Sequence, residues 1–107
     1  MKMKNKFCLI SWLILFSSIS LGANIIGLDV RTLEETKENP ASQAIHIPLA
    51  QLNAETTKNL NKDREIYVFC ESGRRADIAK KILIKLGHRD VINISSWRDW
   101  NKMKTIK

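Results

Sequence analysis

From Asn24 onward, short apolar runs alternate with segments of helical pattern, and this alternation limits the possible folds more than any other feature. Four runs are rich in branched residues and too short for buried helices: Ile25–Val30, Ala44–Ile47, Glu65–Phe69 and Asp90–Ile94. Each predicts a strand. Glu65-Ile66-Tyr67-Val68-Phe69 is nearly continuous in apolar character, as expected of a strand covered on both faces. Parallel neighbours need crossover connections, and helices make them compactly. The expected fold class is therefore α/β, a single domain with a mainly parallel central sheet and helices on both faces.

The connecting segments carry their own signals. Thr32-Leu33-Glu34-Glu35 matches a capping box, and Asn39-Pro40 ends the short helix it starts. Pro48 stops the second strand because it has no amide proton for a ladder. Leu49 to about Asn61 reads as a polar helix with Leu49, Leu52 and Leu60 on its apolar side. Ala76 to Leu86 places Ile78, Ala79, Ile82, Leu83 and Leu86 on one side at helical spacing, and Gly87 is its natural stop. Trp97 and Trp100 suggest a short terminal helix pinned by aromatic burial, with Lys102 to Lys107 a solvated tail.

The first 23 residues differ. Lys2, Lys4 and Lys6 precede an uncharged apolar run from Phe7 to about Leu21, followed by Gly22 and Ala23. This is the pattern of a secretory leader, cut after Gly22 or Ala23 and too short to remain as a membrane span. The expected division is a signal peptide over 1–23 and one domain over 24–107, located in the periplasm with no stable membrane insertion. Removing three lysines lowers the net charge from +7 to +4. That mild excess suits small anions, and it lacks the basic and aromatic stripe of a nucleic-acid binder. A monomer is expected.

Export makes the cysteines informative. Cys8 leaves with the leader, and Cys70 becomes a lone thiol in an oxidising compartment. It stands where a strand ends and a helix begins, the edge at which open α/β sheets bind ligands. Unpaired backbone amides and the helix dipole there favour a thiolate or a bound anion. Gly73 lets the loop curl so that successive amides face inward. Arg74 and Arg75 are cations at a helix N-terminus, where they oppose the dipole, so their presence asks for an anion. Glu71 is awkward, since a carboxylate beside the thiol raises its pKa unless it points away.

Cys70-Glu71-Ser72-Gly73-Arg74-Arg75 resembles the active-site loop of rhodanese-like sulfurtransferases, commonly written C-x-x-G-x-R. Leu28-Asp29-Val30-Arg31 is similar to that family's Asp-Val-Arg strand end, and Ala44-Ile45-His46-Ile47-Pro48 to its Ala-Ile-x-Ile-Pro segment, in matching chain order. The likeness runs from about Ile25 to Trp100. Gln43 and Ser95-Ser96 depart from it, standing where the family often has glycine.

The resemblance implies a thiosulfate sulfurtransferase in which Cys70 is the nucleophile and carries a persulfide, with no cofactor and no metal. It implies that loop residues Glu71, Ser72, Gly73, Arg74 and Arg75 bind the donor, a thiosulfate-like anion, and that a thiol or cyanide accepts the sulfur. Arg75 would orient the loop or the donor's oxyanion, with Arg74 at the rim. Asp29 and Arg31 would support the site, and a structural ion pair explains them equally well. A phosphatase of related fold has Arg six positions after its Cys, where this chain has Ala76. A non-catalytic module of the family usually lacks the Cys. A persulfide relay, or sulfur carrier acting on a protein partner, is the alternative. His46 and His88 show no metal or triad pattern and read as structural or exposed.

Overall fold

A computed structural model describes residues 25–106; the leader reading lies outside the described residues. Four strands, β1 (Ile25–Asp29), β2 (Ile45–His46), β3 (Glu65–Cys70) and β4 (Val91–Ser96), form one sheet in the order β2-β1-β3-β4. Every pairing is parallel. The helices are α1 (Leu33–Glu38), α2 (Arg74–Lys85) and α3 (Trp97–Ile106). The expected α/β class is the one observed.

Strand alternation divides the sheet into two faces. Ile26 and Leu28 of β1 and Ile66, Val68 and Cys70 of β3 join Ala76, Ala79 and Leu83 of α2 in one apolar core. The opposite face carries Gly27 and Phe69. Trp100 of α3 lies flat on Phe69 there, with ring centroids 5.7 Å apart, and its indole N–H donates to the Ser42 carbonyl at 2.8 Å. A Cβ at Gly27 would clash with Cζ2, Cη2 and Cε2 of the Trp100 ring, so the close approach of strand and indole requires glycine.

The capping box forms as expected. Thr32 Oγ1 accepts from the Glu35 amide at 3.2 Å, and Glu35 Oε1 accepts from the Thr32 amide at 2.9 Å. At the C-terminal end of α2, the His88 amide donates to the Leu83 carbonyl and the Gly87 amide to the Ile84 carbonyl, a Schellman closure.

Two expectations are corrected. Leu49–Asn61 is a single 3-10 turn over Leu49–Gln51 followed by turns, although Leu52 and Leu60 are buried. The polar side chains compete with the helix: Asn53 Oδ1 accepts from the Glu55 and Thr56 amides, and Thr56 Oγ1 donates to the Gln51 carbonyl at 2.7 Å. The presumed tail instead continues α3 to Ile106, with Lys104 Nζ 5.3 Å from the Trp100 ring centroid.

Among the described residues, Gln43 and Ser95 are the non-glycine residues with positive φ, at 57° and 79°. The left-handed region costs such residues of order 1 kcal/mol each. Both are positions at which the sequence departs from the glycine of the family it resembles.

His88 is 2% exposed, and neither ring nitrogen has a partner among the described residues. Burial, with a smaller contribution from Lys62, pushes its pKa below 6.5, so the folded state holds the neutral ring. Above about pH 6.5 neither state is protonated and the ring costs nothing extra. Below it the unfolded chain takes the proton first, so stability falls with falling pH until the folded pKa is passed. His88→Leu removes two unpaired nitrogens at similar volume. It is expected to raise the melting temperature by roughly 4–8 °C, for about 1 kcal/mol gained. It should also flatten the slope of stability between about pH 6.5 and 5, as thermal melts across that range would show.

Candidate active site

Cys70 is the last residue of β3, and a register shift between Val68 and Cys70 marks the end of regular pairing with β4. The residue is 1% exposed. Glu71 and Ser72 turn the chain, and Gly73, at φ 101°, starts α2 from the left-handed region. This curl aims backbone amides at the sulfur: the Gly73 N–H donates to Sγ at 3.0 Å. Burial pushes the thiol up, but the amides of Ala76, Gly73, Ser72 and Arg75 together outweigh it. The Cys70 pKa is lowered from the ordinary thiol value.

The loop is held on its outer side by the end of β4. Asn93 Nδ2 donates to the Gly73 carbonyl at 3.1 Å, and Asn93 Oδ1 accepts from the Ser95 amide at 2.8 Å. Ser95 Oγ reaches the Ser72 carbonyl at 3.4 Å.

Glu71 turns away from the thiol. Its carboxylate accepts from Arg98 at 2.7 Å and from the Trp97 indole at 3.0 Å, and these partners hold it below the usual carboxylate range. The Arg98 guanidinium also lies over the Trp97 ring, 4.7 Å from its centroid.

The two arginines part company. Arg75 is clamped by Glu35 of α1 through two parallel bonds, Nη1 to Oε1 at 2.8 Å and Nη2 to Oε2 at 3.0 Å. Glu35 is thereby held at about 2, chiefly by Arg75. The anion that Arg75 asked for is a carboxylate of the protein itself. Arg74 is exposed at the rim.

Asp29 and Arg31 lie at the end of β1, 1% and 0% exposed. Arg31 Nε donates to Asp29 Oδ1 at 3.0 Å and Nη2 to Oδ2 at 2.8 Å. Nη2 also donates to the Asn39 carbonyl at 2.8 Å, and Thr36 Oγ1 donates to Asp29 Oδ2 at 3.0 Å. The pair ties β1 to the C-terminal half of α1. Its guanidinium carbon is 5.3 Å from the Trp97 ring centroid. His46 Nε2 bonds the Arg31 carbonyl at 2.7 Å.

Two depressions flank the loop. One, open and about 660 Å³, is lined by Ser72, Gly73, Arg74, Asp77, Ile78, Asn93 and Ser95. The other, about 290 Å³ and largely apolar, is lined by Val30, Thr32, Pro48, Leu49, Ala50 and Arg75. Cys70 lines neither.

Glu35 and Asn93 escape sequence reasoning as site residues. Glu35 was accounted for by its cap. Asn93 had one signal, a polar residue inside the branched run Val91-Ile92-Asn93-Ile94.

A buried thiol ringed by the amides of a strand-to-helix loop, at the carboxyl edge of a parallel sheet, marks the site of this α/β domain. The chain belongs to the rhodanese-like domain family, whose model matches residues 20–103. It is 39% identical over 74 residues to YrkF of Bacillus subtilis, named as a sulfur carrier protein; the match covers 68% of this chain and 40% of YrkF, so the chain spans less than half of that relative. It is 32% identical over 73 residues to the thiosulfate sulfurtransferase PspE of Escherichia coli, covering 67% of this chain and 70% of PspE. Among solved structures, a rhodanese with anions from E. coli superposes with a TM-score of 0.63 at 30% identity, covering 70% of this chain and 89% of that one.

Proposed function

We propose that this sulfurtransferase-family domain moves a sulfane sulfur from a thiosulfate-like donor to a thiophilic acceptor through a persulfide on Cys70, working in the periplasm after its leader is removed. The observation that carries this reading is the ring of amides around Sγ, with the Gly73 N–H at 3.0 Å. The Cys70 thiolate attacks the outer sulfur of the donor. A sulfur–sulfur bond forms to Cys70, the donor's own sulfur–sulfur bond breaks, and sulfite leaves with the electron pair. Cyanide or a thiolate then attacks the outer persulfide sulfur, and Cys70 departs as thiolate. The same amides hold the negative charge in each state, in place before reaction. Arg74 at the rim attracts the donor's oxyanion, and Arg75 orients the loop through Glu35.

A chain lacking residues 1–23 is expected to form thiocyanate from thiosulfate and cyanide, and in cells the activity belongs to the periplasmic fraction. Treatment with donor alone should add about 32 Da at Cys70, one sulfur atom. Cys70→Ser should lower turnover by at least about a thousandfold. Retention of activity by that variant would sink the assignment. A second reading, a persulfide relay to a protein partner, is favoured by the match to a relative named as a sulfur carrier. Full uptake of sulfur with very slow release to small thiophiles would select it.

A further inference from the structure

We propose that Ser95, held by Asn93, is a positioning residue for the Cys70 loop: it fixes the Ser72–Gly73 peptide so that its N–H faces Sγ. This rests on the reading of Cys70 as the nucleophile. In a trans peptide the C=O and N–H point in opposite directions. The Ser72 carbonyl and the Gly73 N–H belong to one such plane, and Ser95 Oγ bonds the first at 3.4 Å while the second meets Sγ at 3.0 Å. A hydroxyl holding the carbonyl on the outside therefore keeps the amide on the inside. The hydrogen bond is long, but the two segments lie close: a Cβ added to Gly73 would stand 3.1 Å from Ser95 Oγ, so only glycine leaves the hydroxyl its room.

Ser95 occupies its place under backbone strain, at φ 79°, and Asn93 bridges the two elements by accepting the Ser95 amide and donating to the Gly73 carbonyl. Glycine would relieve that strain and would have no hydroxyl. A residue serving stability alone is a poor explanation for serine here, whereas one that orients the peptide needs the side chain.

Stability and thiol reactivity can therefore be moved in opposite directions. The charged groups around the loop are Arg74, Arg75 with its partner Glu35, Glu71 with its partner Arg98, the buried pair Asp29–Arg31 at the neighbouring strand end, and Asp77 with its partner Lys81 near the loop's outer face. Ser95→Gly and Ser95→Ala alter none of them. Both are expected to shift the pH profile of Cys70 alkylation by iodoacetamide to higher pH, lowering the rate on its acid side by about threefold, the size of one modest hydrogen bond. Ser95→Gly should also melt at a temperature equal to or above that of the wild type, which excludes general loosening as the cause. Asn93→Ala should shift the profile in the same direction. Unchanged profiles in both Ser95 variants would overturn the proposal, as would a shift in Ser95→Gly that Ser95→Ala does not share. The alkylation readout requires no sulfur transfer, so it stands apart from the test of the function itself.

Discussion

Arg31→Met is expected to cost about 3–5 kcal/mol, the usual penalty for stranding one partner of a buried ion pair. A domain of this size has roughly 4–12 kcal/mol in total, so the variant would lose from about a quarter to all of its stability. Asp29 would keep the Arg31 backbone amide and Thr36 as donors, both at 3.0 Å, and lose its two guanidinium bonds. The Asn39 carbonyl would lose its bond from Nη2, and β1 would lose its tie to the end of α1. The double variant Asp29→Leu/Arg31→Met should be less damaged than the single one, because no charge is left buried without a partner. Denaturant midpoints compare the two directly. A loss below about 1 kcal/mol in Arg31→Met would show that the pair contributes far less than its burial implies.

Gly27→Ala is expected to destabilise by about 1–3 kcal/mol through overpacking. The new methyl would enter the space of the Trp100 ring, which is fixed by its stack on Phe69 and its bond to Ser42. Moving the indole away from β1 would disturb both. In a Trp100→Leu background the same substitution should cost less than half as much, because the smaller side chain leaves room. Equal costs in the two backgrounds would place the strain elsewhere. The same comparison reports on α3, which reaches the sheet through this indole.

The central strand, the capping box at Thr32, the apolar face of α2 and its stop at Gly87 could be read from the chain because their causes are local: periodicity, a four-residue cap and a turn residue. The cysteine loop was legible for the same reason, being one continuous segment. The segment after Pro48 misled because its leucines have helical spacing while Asn53 and Thr56 bond nearby backbone, and spacing alone does not reveal which prevails. The partners of Arg75, Gly27 and Gly73 were hidden for a different reason. Glu35 is 40 residues from Arg75, and Asn93 is 20 from Gly73, so these pairings exist only once the sheet brings them together. Gln43 and Ser95 were visible as departures from glycine, but their left-handed backbone was not.

The placement of β3 between β1 and β4 gives the thiol a history. β1 precedes it by about 40 residues and β4 follows it by about 25, so the strand bearing Cys70 acquires its neighbours only through long-range closure. The amides that acidify the sulfur are ordered by that same closure. An incomplete or unfolded chain carries a thiol of ordinary acidity. The lowered thiol pKa is thus a property of the finished fold alone, acquired in the same step that buries the sulfur.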